Sequence, residues 1–152
     1  MKIILKQLKE YKKYTWLCLL YAALEVIMEV AIPLIAAIII DQGFGDRKIS
    51  VVYRYGTLMI VIAFLSLFFG IQAGRYAASS AAGLSFNLRR EIYDRIQTFA
   101  FSNIDKFSSA GLVTRMTTDI TNIQNAFIGG IRPVVRAPLT LIAGMILSFY
   151  IN

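Results

Sequence analysis

The chain has 152 residues and a formal charge of +7, yet only 16% of it is charged, 57% is hydrophobic, and the mean hydropathy is +0.62. A soluble domain usually commits about a quarter of its residues to charge, so this composition belongs in a membrane and the basic excess is to be read first as topology. With no histidine and one cysteine, Cys18, a disulfide framework and a Cys–His or zinc site are excluded; nucleic-acid binding is disfavoured because the basic residues form no stripe interleaved with aromatics.

Residues 1–13 set Ile3, Ile4 and Leu8 against Lys2, Lys6, Lys9 and Lys13, the pattern of a short amphipathic elbow helix lying on a membrane surface. A frayed basic tail fits the same pattern. The apolar run 16–40 exceeds the 7–15 residues of a secretory signal core and reaches about 37 Å, enough for a first span. The glycines and mixed charges of "DQGFGDRKIS" make 41–50 a loop.

A second span begins near Tyr53, and Arg75 marks its far membrane edge. Residues 77–99 lack proline, and Leu84, Leu88, Ile92, Ile96 and Phe99 recur at helical spacing, so 53–102 is predicted as one helix running out of the bilayer. Its small residues, Ala77 through Gly83, would let another helix approach closely. A turn over 103–117 follows. From Thr118, Ile120, Ile123, Phe127 and Ile131 mark a further helix, with Asp119 in its first turn where the helix dipole favours an acid. That helix leads into a third span ending near 152. Because Pro138–Ile151 alone covers only about 21 Å, the crossing has to begin near Arg132–Arg136 or be truncated.

Lys and Arg residues concentrate in 1–13 and in 75–136, with only Arg47, Lys48 and Arg54 around the first connection. The positive-inside rule then puts the N-terminus and the 75–136 arm in the cytoplasm. The expected fold is an all-α, multi-pass membrane protein whose long helices extend into the cytoplasm.

Glu25 and Glu29 lie one turn apart on a face of the first span shared with Cys18, Ala22 and Ala36. An ionised carboxylate at bilayer depth costs about 2.5–3.5 kcal/mol on insertion scales, so both must face protein or water, or be protonated. They can line a substrate path or proton relay, or they can fix helix register by hydrogen bonding. Glu25, farther from the kinking Pro33, is expected to be the one facing a cavity. Arg132 and Arg136 form another i,i+4 pair, read as snorkelling to headgroups or as contacting substrate. No glycine precedes a lysine, so no phosphate-binding loop is present, and no catalytic or metal-binding set can be assembled. At the turn, Leu112, Val113 and Met116 form an apolar face on a helix of one or two turns, suited to docking rather than to mere connection.

"FSNIDKFSSAGLVTRMTTDITNIQNAF" resembles the first intracellular loop of ABC exporter half-transporters, and "EVIMEVAIPLIAAIIIDQGF" resembles their first span. The nearest likeness is to the bacterial multidrug branch. The resemblance implies the first three of six spans, with residues 107–116 as a coupling helix seated in a groove of a cytoplasmic ATPase domain. Phe107, Ser109, Gly111, Leu112, Arg115 and Asp119 would be the residues coupling to the ATPase domain, and Glu29, Pro33 and Asp41 match positions of the family's first span. It further implies a plasma-membrane location, a second half-transporter as homo- or heterodimer partner, and a small amphipathic substrate such as a drug or lipid. ATP and Mg2+ would sit on a nucleotide-binding domain that these residues do not include. The chain alone, on this expectation, is a fragment and no enzyme. Two rivals remain: a small proton-coupled drug antiporter working through Glu25, and a membrane-anchored sensor with a helical hairpin.

Overall fold

Helix α1, Lys12–Ile38, begins at the basic residues before the first apolar run and carries Pro33 inside it. Proline is tolerated at this depth because neighbouring groups can satisfy the freed carbonyl. The helix loosens into a π-helical turn over Ile39–Phe44, where Asp41 and Gly43 replace the apolar sequence. The computed structural model describes residues 11–44, 49–98 and 109–151. The expected elbow helix therefore lies outside the described residues except for 11–13, which continue directly into α1.

Helix α2, Ile49–Gln97, is a single element of 49 residues and about 74 Å, more than twice the hydrocarbon thickness. It runs past Arg75 without a break to Gln97; the expected end near 102 lies outside the described residues. Helix α3, Ser109–Thr114, passes through a π-helical segment, Arg115–Asp119, straight into α4, Ile120–Ile151. The sequence suggests a separate helix starting at Thr118. The structure instead keeps the chain helical from Ser109 onward, with one turn widened to the i→i+5 pattern. Thr117 and Thr121 turn their hydroxyls onto the carbonyls of Val113 and Thr117, so two threonines of the TTDIT stretch bond to the helix's own backbone.

All of these elements are helical, and no strand occurs among the described residues. Three stretches, Lys12–Gly43, Ile49–Gln97 and Gly111–Phe149, are long and apolar enough to cross a membrane. The chain divides into two compact units. One comprises Met1–Trp16 with Tyr76–Ile131, the arm unit; the other comprises Leu17–Arg75 with Arg132–Asn152, the span unit.

In the arm unit, Leu84, Leu88 and Ile120 form the buried core, with Ile92 and Phe127 packed against it. Around it the small residues Ala77, Ser80, Ala81 and Ser85 are also buried. The helix that uses this small-residue stretch is the start of α1. Thr15 and Ser80 share a 2.6 Å hydroxyl hydrogen bond, and the Tyr14 ring lies 6.2 Å from that of Tyr76. Gly83 is needed at this contact, since a Cβ there would sit 2.5 Å from the Tyr11 ring.

In the span unit, Cys18, Ala22, Glu25, Val26 and Ile35 of α1 and Ala73 of α2 are buried. Large apolar side chains such as Phe64, Leu67, Phe68 and Phe149 are exposed, the arrangement expected of surfaces that meet lipid.

Candidate functional site: an ion-pair ladder and a helical tip

Both glutamates of α1 find arginines of α4. Arg132 Nη2 donates to Glu25 Oε2 at 2.8 Å and to Oε1 at 3.2 Å. One turn further along, Arg136 Nη2 donates to Glu29 Oε1 at 2.8 Å and to Oε2 at 2.9 Å. The rungs are cross-linked, because Arg136 Nη1 also lies 3.7 Å from Glu25 Oε1. The cluster is electrically neutral, and each carboxylate is engaged through both oxygens, the charge-assisted geometry that best compensates lost hydration.

The two rungs join residues separated by the same interval, 107 positions. A constant interval means that α1 and α4 advance together: they run parallel, in register, past one another. Two parallel neighbouring helices need one return crossing between them, and α2 supplies it. Helix α2 also makes room for the ladder. A Cβ at Gly70 would lie 2.9 Å from Glu25 Oε1, and one at Gly74 would reach Arg132 Nη1 at 4.0 Å. The ladder also explains how the third span is made. Its fourteen apolar residues are too few alone, and pairing lets the arginine-bearing turns below Pro138 lie within it.

The arginines therefore turn inward to carboxylates, where their sequence position suggests snorkelling. Of the two carboxylates, Glu25 is buried and Glu29 is half-buried. The missed signal was the match itself, two i,i+4 pairs of opposite sign on spans that the topology makes parallel. Beside the ladder, Val26, Val30, Leu34, Leu139, Ile142 and Ile146 are among the residues lining an almost wholly apolar groove of about 410 Å³ between α1 and α4.

The residues expected to form a coupling motif fall, where they are described, in α3 and the π-helical segment that follows it. Phe107 is outside the described residues. Ser109 opens α3, Gly111 and Leu112 are half-buried, and Val113 is exposed. Arg115 and Asp119 are exposed and sit at the two ends of the π-helical segment, so the widened turn coincides with the motif. Such segments recur at functional positions in other proteins. Among the described residues no group of three or more His, Cys, Asp or Glu could hold a metal ion.

Comparison with known proteins bears on the whole of this arrangement. The pattern of the ABC transporter transmembrane region matches residues 15–152. An uncharacterized ABC transporter ATP-binding protein of Bacillus subtilis, YfiB, is 34% identical over 152 residues, covering 100% of this chain and 26% of the relative. An uncharacterized ABC transporter ATP-binding protein of Mycobacterium bovis is 21% identical over 148 residues, 97% of this chain and 25% of that protein. The ATP-dependent lipid A-core flippase of Cupriavidus metallidurans is 21% identical over 152 residues, again 100% of this chain and 26% of the relative. The chain thus spans about a quarter of the length of these relatives. With three helices able to cross a membrane and a family match over nearly its whole length, it belongs to the ABC transporter transmembrane region family.

Proposed function

We propose that the chain forms the first three spans of the membrane domain of an ATP-driven exporter, with the N-terminus and the α3 tip in the cytoplasm of a plasma-membrane protein. ATP and Mg2+ would act on a nucleotide-binding domain contacted by the tip, and a second half-transporter would complete the pathway. The substrate on this reading is a small amphipathic molecule, a drug or a lipid-like compound. The name of the lipid A-core flippase relative is compatible with the lipid-like class.

The observation that carries the proposal is the length of α2. A connector between spans needs only a few residues, yet α2 continues from Tyr76 to Gln97, about 33 Å beyond Arg75. A helical lever of that reach, returning through α3 with Leu112, Val113 and Met116 at its end, suits transmission of force to another domain. The proton-antiporter reading is weakened by the ladder, since Glu25, the carboxylate it needs, is engaged by Arg132.

Residues of a coupling tip transmit movement and leave the chemistry to the ATPase. Leu112→Asp in the assembled transporter is therefore expected to leave nucleotide binding intact while substrate-stimulated hydrolysis and transport both fall. A solvated turn would tolerate the change within about 0.5 kcal/mol. Parental rates of stimulated hydrolysis and transport in a normally assembled Leu112→Asp protein would refute the docking role.

A further inference from the structure

The geometry points to a division of labour in the ladder: Glu25–Arg132 is a fixed pin that registers the three spans, and Glu29–Arg136 is a contact released during the working cycle. The two rungs have the same chemistry and the same spacing, so the difference must come from their surroundings.

The Glu25 side chain is 12% exposed and that of Arg132 34%, whereas Glu29 is 37% and Arg136 49% exposed. The inner rung is backed by a third helix. Gly70 leaves a gap that the Glu25 carboxylate fills, and any side chain there would displace it. Glu25, Arg132 and Gly70 thus hold α1, α4 and α2 at one level. Removing Glu25 would strand Arg132 in a place with little water, and removing Arg132 would leave Glu25 only the 3.7 Å contact to Arg136, while removing both would strand neither.

The outer rung has none of this backing. Pro33 lacks the N–H that would otherwise bond the carbonyl of Glu29, so α1 is weakened where the rung attaches. On α4, Pro133 and Pro138 bracket Arg136 and free the carbonyls of Gly129 and Val134. Alongside this rung and past it, α1 and α4 line the open apolar groove of about 410 Å³. Release is also inexpensive for the arginine. Arg136 Nη1 already lies 3.7 Å from Glu25 Oε1, so a carboxylate remains in reach when Glu29 departs. Glu25 and Gly70 are positioning residues on this view, and Glu29 with Arg136 forms a latch.

The test compares Glu25→Gln, Arg132→Gln, the double Glu25→Gln/Arg132→Gln, and Glu29→Gln in the assembled transporter. Two quantities are measured: the yield of monodisperse protein in detergent, and transport per assembled molecule. The Glu25 and Arg132 single variants are expected to lose about tenfold in yield, with the double variant recovering most of it. Glu29→Gln is expected to assemble within about twofold of the parent, with its transport rate changed about fivefold or more.

Equal loss of yield in Glu25→Gln and Glu29→Gln would overturn the division of labour. Failure of the double variant to recover would overturn the pin. Parental yield together with parental transport in Glu29→Gln would overturn the latch. The transport arm rests on the exporter reading, whereas the yield arm does not. A parent protein that moves no substrate would count against that reading while leaving the pin to stand or fall on yield.

Discussion

The arm unit and the span unit are both built from helices of one chain, yet opposite kinds of side chain hold them together. The arm unit buries Leu84, Leu88 and Ile120 and exposes Arg89, Arg90, Asn122 and Asn125. That is the ordinary partition of a protein in water. The span unit exposes Phe64, Phe68 and Phe149 and buries Glu25. Where lipid surrounds a helix, burying leucine gains little, because the hydrocarbon outside is as apolar as the protein inside. Adhesion then has to come from close approach and from polar groups with no better partner. Arginine–glutamate pairs, at most marginal on a wet surface, can therefore dominate a span's register. The transition between the two regimes falls within α2, near Arg75 and Tyr76.

If that contrast is correct, the same truncation should behave differently in the two units. Leu84→Ala is expected to give the largest loss, about 2–5 kcal/mol, since Leu84 is fully buried at the centre of the arm core. Phe64→Ala, on the outer surface of the span unit, should stay within about 0.5 kcal/mol although it removes more atoms. Thermal unfolding of both variants in detergent checks the ordering, and comparable losses would erase the distinction.

A smaller effect is expected where the arm unit depends on close approach. Gly83→Val places a side chain against the Tyr11 ring and should cost about 1–3 kcal/mol by overpacking. Adding Tyr11→Ala should return part of it. No recovery in the double variant would mean that the N-terminal turn does not dock there.

The smallest effect is expected to have the opposite sign. The hydroxyl of Ser85 is buried without a hydrogen-bond partner among the described residues. Ser85→Ala removes an unsatisfied group and should be neutral or stabilising by up to about 1 kcal/mol. A clear loss of stability would reveal a partner for this oxygen outside those residues, and would add a second polar contact to the Thr15–Ser80 pair in the arm unit.

Much of this architecture is legible in the sequence because membrane helices announce themselves by length. The continuity of α2 follows from an unbroken 3.6-residue pattern with no proline, and the small residues 77–83 mark a close helix contact. The partner at that contact was not legible, because Tyr11 and Thr15 carry no pattern that distinguishes packing from fraying. The ladder was half legible. Each charged pair stands out against its apolar surroundings, but local periodicity carries no information on which helices face one another. That follows only from the parallel course of α1 and α4. At the tip, sequence located the segment but not its seam. Threonines and Asp119 suggest a fresh helix start, whereas the structure absorbs them in a widened turn. The assignment of the coupling motif itself still rests on the exporter proposal.

Cys18 gives the span unit a clock. It is the only cysteine in the chain, and no part of its surface is exposed; it lies on the face of α1 that also carries Ala22 and Glu25. A small thiol reagent can reach the sulfur only while that face is uncovered, so the labelling rate counts openings rather than average shape. At high reagent the rate tends to the opening frequency itself, and at low reagent to the reaction rate of an exposed thiol multiplied by the fraction of time spent open. The duration of each excursion follows from the two limits. A chain with three helices able to cross a membrane thus carries, at a single sulfur, a record of how often its first helix parts from its neighbours.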